Sequence, residues 1–363
     1  MPSRVSLPVA CLALVAACHE SPTAPGGGVA WRQVSPVAEG TVTCALTYGD
    51  DAYCWAGDPE YGENLGVGDT KAYRTPTAVT GGLHFTEVSG TCGLTASGAV
   101  YCWGVRPALV ASSQTFVSLG AGNIHNCAVT RAGAAYCWGR GYDGELGDGG
   151  DSDHAAPTAV AGGLAFRSIS AGLAHTCAVT TGGETYCWGS NYFGQLGVGD
   201  SVWSYPTPVS VAGGLAFTAI AAGGIHTCGV TTAGAAYCWG QNGDGRLGSG
   251  DTLSRTAPTA VAGGLVFTAV TAGDTHTCGL TGAGVAYCWG ANYVGQLGDG
   301  TTTERLVPEP VAGGLVFADL AAGADFTCGV TRDHAMYCWG DDYVSQLGDG
   351  GELPQVSPVR VWP

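Results

Sequence analysis

Basic residues are scarce. Only 13 Lys and Arg stand against 29 Asp and Glu in 363 residues, a formal net charge of −16. Such a balance repels nucleic acid and anionic lipid at long range, and no local run of Lys or Arg offsets it. A phosphate-binding role and a nucleic-acid partner are therefore disfavoured. Apolar runs of membrane length are also missing. The stretch from Val5 to Ala17, after Arg4, is too short to span a bilayer as a mature helix. There is no Gly-x-Ser-x-Gly, no phosphate loop and no His-Glu-x-x-His. No Cys pair has the C-x₂₋₄-C spacing of common zinc sites. No catalytic residue, metal site or cofactor is expected.

What the chain has in abundance is repetition. Residues 175–189 read His-Thr-Cys-Ala-Val-Thr-Thr-Gly-Gly-Glu-Thr-Tyr-Cys-Trp-Gly, two short β-prone runs around a Gly-rich turn, the pattern of a β-hairpin. The Tyr-Cys-Trp core recurs from Tyr53, Tyr101, Tyr136, Tyr186, Tyr237, Tyr287 and Tyr337, mostly 50 or 51 residues apart. Seven copies at a near-constant period mean a stacked or closed repeat architecture. Each copy holds a second cysteine ten positions earlier. The pairs are Cys44 with Cys54, Cys92 with Cys102, Cys127 with Cys137, Cys177 with Cys187, Cys228 with Cys238, Cys278 with Cys288, and Cys328 with Cys338. Facing residues in a non-hydrogen-bonded antiparallel pair lie about 4.5 Å apart at Cα, within reach of a disulfide. Metal binding and unpaired buried thiols compete with that reading, but seven matched spacings favour seven hairpin disulfides. Each would close a loop of about eleven residues, worth roughly 2.8 kcal/mol in the chain-entropy model. Disulfides in turn imply an oxidising compartment.

Around the hairpin each unit shows four strand-like pieces, A to D. In the fullest copy they are 166–170, 176–180, 185–188 and 206–210, the last Pro-led and so suited to an edge. Four antiparallel strands repeated seven times predict an all-β, seven-bladed β-propeller. Tyr186 and Trp188 share one face of strand C and Cys187 takes the other. The Tyr/Trp face of each blade is expected to press on the disulfide face of the next. The chain starts with a strand A (31–35) and ends with a strand D (357–361), so no blade is shared between the termini. Closure should then rest on side-chain packing between blades 1 and 7.

Tyr-Cys-Trp-Gly-x-Asn-x-x-Gly-Gln-Leu-Gly (186–197), the following Pro-Thr-Pro-Val and the upstream Ala-Gly-x-x-His-Thr-Cys (171–177) resemble the regulator-of-chromosome-condensation repeat. The resemblance runs from about Trp31 to Pro363, and six of seven units carry the Leu-Gly loop. It implies a seven-bladed propeller that binds protein partners; one bacterial relative type inhibits β-lactamases. It also implies a structural role for His125, His175, His226 and His276, capping the A–B loops. One per blade, they are too far apart to ligate one metal ion. Leu-Gly-Asp-Gly at 146–149, 297–300 and 347–350 has too few carboxylates for a calcium loop.

Leu14-Val15-Ala16-Ala17-Cys18 resembles a bacterial lipobox, which implies cleavage after residue 17 and acylation of Cys18. An ordinary secretory signal cut near Ala17 is the alternative. The expected organisation is a signal over 1–17, a tether over 18–29 and the propeller over 30–363. The functional expectation is a monomeric, non-catalytic binding or scaffold protein with a protein or glycan ligand. It would be held to the bacterial envelope through lipidated Cys18 alone. A glycan-active hydrolase or lyase is the alternative, and nucleotide exchange on a small GTPase the least favoured.

In blade 2 two loops of one rim are short together: seven residues separate Phe85 from Cys92 where five blades have 11, and the Leu-Gly loop is missing. That leaves a notch beside Arg106. Blade 4 alone adds Trp203 and Tyr205 to its C–D loop, whereas the recurrent Tyr192, Tyr293 and Tyr343 are read as structural. Trp203, Tyr205 and Arg106 are the candidate binding residues, on the rim formed by A–B and C–D loops.

Overall fold

The computed structural model describes residues 28–37, 42–56 and 65–362. The expected signal segment, the lipidation site Cys18 and all but the last two tether residues lie outside these. Twenty-eight strands among the described residues, β1 (Trp31–Pro36) to β28 (Gln355–Arg360), form seven four-stranded antiparallel sheets, each built of four consecutive strands. Among the described residues there is no helix. Blade 4 is typical, with β13 (Phe166–Ala171), β14 (His175–Thr180), β15 (Thr185–Ser190) and β16 (Ser204–Ser210) in positions A to D. Burial follows position. β14 is buried throughout, while β16 at the outer edge stays largely wet.

The hairpin register places Cys177 opposite Cys187, and the same holds in every blade. All seven expected disulfides are formed. Cys44 is bonded to Cys54, Cys92 to Cys102, Cys127 to Cys137 and Cys177 to Cys187. Cys228 is bonded to Cys238, Cys278 to Cys288 and Cys328 to Cys338. The competing readings of these cysteines, a metal site or free buried thiols, do not hold. The opposite face of strand C carries the aromatics, and a bulge at the start of strand A brings Phe166 alongside Tyr186 and Trp188. Seven apolar clusters result, one per junction. Their direction corrects the expectation: Phe217, Tyr237 and Trp239 of blade 5 pack on the disulfide between Cys177 and Cys187 of blade 4. The aromatic face meets the preceding disulfide, not the next one. Aromatic pairs of this kind are worth about 0.5–1.5 kcal/mol beyond their buried area.

The Leu-Gly loop turns this packing into a latch. Its leucine is buried, and the carbonyl just before it accepts the next blade's indole N–H. Trp188 donates to Glu145 O at 2.9 Å, Trp239 to Gln195 O at 2.9 Å, Trp289 to Arg246 O at 3.0 Å, and Trp339 to Gln296 O at 3.1 Å. A threonine hydroxyl one residue before the first cysteine shares each carbonyl, as Thr227 does at 2.7 Å. Because the backbone carries the bond, Glu, Gln and Arg are interchangeable there. The second glycine of the loop then bonds the next blade's outer strand, Gly149 N to Pro206 O at 2.9 Å. That is the use of Leu-Gly-Asp-Gly.

Ring closure repeats the latch. Trp55 donates to Gln346 O at 3.0 Å and Thr43 to the same carbonyl at 2.9 Å. Trp31 N reaches His334 O at 3.0 Å, Val34 N reaches Asp319 Oδ2 at 3.0 Å, and Arg74 pairs with Glu352. Blades 1 and 7 share no strand, as expected, but backbone hydrogen bonds join them as well as packing.

Candidate binding face

The propeller has two rims. Arg246 of a C–D loop donates to Asp274 O in an A–B loop, while the B–C turn at Gly284 meets Phe317, which follows a D–A connector. A–B and C–D loops therefore share one rim, as the strand order demands.

The C–D loops of blades 4 to 7 are braced from within. In blade 4 Asn191 Oδ1 accepts the amide of Leu196 at 3.1 Å, its Nδ2 donates to Val202 O at 2.9 Å, and Gln195 Oε1 accepts Phe193 N at 2.9 Å. Asn242 and Asn292 repeat the brace. In blade 7 Asp342 takes the place: its Oδ1 accepts Leu347 N at 2.9 Å. Burial, with Asp349 nearby, pushes its carboxyl up to about 7. The loops are thus rigid mounts, and blades differ in what they display.

Blade 4 displays aromatics. Trp203 is 69% exposed and stacks on Tyr192, itself 61% exposed, with centroids 5.2 Å apart and planes at 26°. The indole thus leans on its own loop yet keeps most of its surface in water. Tyr205 is half-buried and its hydroxyl donates to Asp200 Oδ2 at 2.6 Å, so it braces rather than displays. Arg106 is exposed on the short C–D loop of blade 2. Blade 3 stands between it and blade 4, so the three candidates do not form one site. Tyr192, Tyr293 and Tyr343 are all exposed, the loop leucine filling the core beside them; Tyr192 stacks on Trp203 and Tyr293 hydrogen-bonds Asp325.

Blade 3 supplies what the sequence reading missed. Tyr142 is exposed on its C–D loop under the Arg140 guanidinium, 5.6 Å from the ring centroid. A depression of about 410 Å³ lies between that loop and Ser204 and Pro206 of blade 4. Its signal was available, since Tyr142 occupies the loop position of Tyr192.

The four histidines are buried at the junctions. Each Nε2 bonds a threonine hydroxyl of the next blade: His125 to Thr176 at 2.7 Å, His175 to Thr227 at 2.9 Å, His226 to Thr277 and His276 to Thr327 at 2.8 Å. They are structural, as expected, and what they hold is the next blade. Burial lowers their basicity, to about 4 in His125 and His276, about 3 in His175, and well below the usual range in His226. They are neutral at physiological pH. On the inner strands, burial raises Glu87 to about 7 against one amide bond from Leu119. No cluster of three or more His, Cys, Asp or Glu suited to a metal ion occurs among the described residues.

A sequence profile described as the RCC1-like domain matches residues 105–362. The chain belongs to the RCC1-like domain family. Among solved structures, Prp20p from Saccharomyces cerevisiae superposes with a TM-score of 0.73 at 21% identity, over 83% of this chain and 82% of that one. Human WBSCR16 gives 0.67 at 17% identity, covering 92% and 82%. The ectodomain of the Arabidopsis thaliana receptor kinase ACR4 gives 0.56 at 22% identity, covering 90% and 99%. At such identities the likeness is one of fold. No curated protein sequence matches significantly.

This RCC1-like propeller departs from regularity at blade 2. Gly90 and Thr91 alone join β5 (Phe85–Ser89) to β6 (Cys92–Thr95), and no Leu-Gly latch reaches Trp138 of blade 3. The expected shortening of both rim loops is there. Its consequence is specific: Cys102 is partly exposed, whereas the other thirteen hairpin cysteines are 0–1% exposed.

Proposed function

We propose that this RCC1-like propeller is an exported, non-catalytic binding module that meets its partner with the A–B/C–D rim, and that an acylated Cys18 holds it to the bacterial envelope. The observation that carries the reading is the set of seven disulfides, which requires an oxidising compartment to form and persist. Among the described residues no helix is long and apolar enough to cross a membrane. Two structurally similar proteins are receptor-kinase ectodomains, so the fold also serves outside cells elsewhere. The rigid loops and the exposed Trp203 support recognition, because preformed loops and aromatic anchors lower the ordering cost of binding.

Changing Cys18 to Ser should move the protein from membranes to the soluble fraction. A pull-down from envelope extract with the wild-type chain, repeated with Trp203→Ala, should capture a partner that the variant loses. A soluble, unacylated wild-type protein would remove the anchor. Partner capture unaffected by rim substitutions but lost with B–C turn changes would move recognition to the opposite face.

A further inference from the structure

We propose that the rim between blades 3 and 4 binds a neutral oligosaccharide, an assignment that rests on the binding reading above and narrows it to one ligand class. A pyranose ring offers two kinds of surface. Its axial C–H face is apolar with slightly positive hydrogens, suited to the electron-rich face of an aromatic ring. Its hydroxyl edge needs hydrogen-bond acceptors and donors.

The rim supplies both. The depression of about 410 Å³ holds Tyr142, Asp143 and Asp151 from blade 3 and Ser204 from blade 4. Trp203, one residue before Ser204, stacks on Tyr192 of blade 4's own C–D loop. Tyr142, 72% exposed, thus accompanies two carboxylates and a hydroxyl in the depression, and the exposed Trp203 is one residue away from it in sequence. The two blades meet closely here: a Cβ added at Gly144 would sit 2.6 Å from Pro206 Cα.

The parts are set before any ligand arrives. Arg140 stacks over Tyr142 and bonds Asp143 Oδ2 at 3.2 Å, fixing ring and carboxylate together. Asn191 fixes the loop that carries Tyr192 and, through Val202 O, the residue before Trp203. Charge selects among sugars. The nearest guanidinium is already committed to Asp143, and a net charge of −16 repels uronate and sulfated chains. Two carboxylates and a hydroxyl in the lining suit a hydroxyl-rich ligand better than the charge-depleted core of a protein interface.

The test is calorimetric titration of the full chain with cello-, laminari-, manno-, xylo- and chitohexaose, with polygalacturonate as the anionic comparison. At least one neutral hexaose should bind and polygalacturonate should not. Tyr142→Ala and Trp203→Ala should each weaken binding about tenfold or more, while Trp203→Tyr and the distant exposed Tyr343→Ala stay within about threefold. Absence of binding by every neutral hexaose at millimolar concentration would overturn the assignment, as would binding indifferent to both Ala variants. A captured protein partner that depends on Trp203, with no sugar bound, would overturn the sugar and leave the rim reading standing. Loss of both would remove the two together.

Discussion

The inter-blade latch makes a quantitative prediction at two glycines. Gly197 has φ +72°, and a Cβ there would lie 2.5 Å from Nε1 of Trp239, the indole that bonds Gln195 O. Gly213, in the D–A connector of the same blade, has φ +91° and open space around the missing Cβ. Alanine at either position must adopt a left-handed backbone, costing about 1–2 kcal/mol. Gly197→Ala must also push the indole off its carbonyl, an overpacking term of roughly 1–3 kcal/mol. The entropy that alanine removes from the unfolded chain is common to both and cancels in the comparison. Gly197→Ala should therefore lose about 2–5 kcal/mol and Gly213→Ala about 1–2 kcal/mol. Guanidinium unfolding with the disulfides intact, followed by tryptophan fluorescence, measures both. Equal losses would mean that the Leu-Gly loop does not hold Trp239, and the latch would fail as an explanation of the junction.

Asp342→Asn should stabilise the protein at pH 8 by about 1–2 kcal/mol, because Asn meets the same Leu347 amide without a buried charge. The gain should fade as pH falls below about 7, where the native carboxyl protonates and the parent recovers. The four junction histidines act in the opposite sense. Their native values lie below the unfolded value of about 6.5, so their stability is present above that pH and lost as pH falls towards about 4. Each contributes a slope approaching about 1.4 kcal/mol per pH unit, which Glu87 and Asp342, with raised native values near 7, partly offset. The Glu87→Gln/Asp342→Asn double variant should thus lose stability more steeply than the parent between about pH 6.5 and 5, and parallel denaturation midpoints would refute this. Under graded dithiothreitol, the bond between Cys92 and Cys102 should open first, since Cys102 alone is partly exposed; mass spectrometry after thiol labelling would show another pair leading if exposure does not govern access.

Blade count and disulfide pairing were legible because both are local: a ten-residue cysteine spacing around a Gly-rich turn fixes the hairpin register. Cys54, Cys137, Cys238 and Cys288 each follow their partner across such a turn, so no long-range knowledge was needed to pair them. What crosses a junction was less legible. Spacing places Trp188 and Cys187 on opposite faces of one strand but does not say which neighbour each face meets. The histidine partners lie 51 or 52 residues away in the next blade, so the spacing within one repeat marked these residues as structural but could not name what they bond. Repetition marked Tyr192, Tyr293 and Tyr343 as structural but did not say that they stay exposed while the leucine of the same loop is buried. The notch was visible as missing residues, but its effect on Cys102 needed the fold.

The hairpin disulfides underlie both the junction packing and the export reading. Peptide mapping of the protein taken from its native cells, alkylated without reduction, tests them directly. No free thiol is expected from Cys44 to Cys338, and seven crosslinked pairs should appear, each joining residues ten apart. Free thiols in these hairpins, or crosslinks between blades, would contradict it.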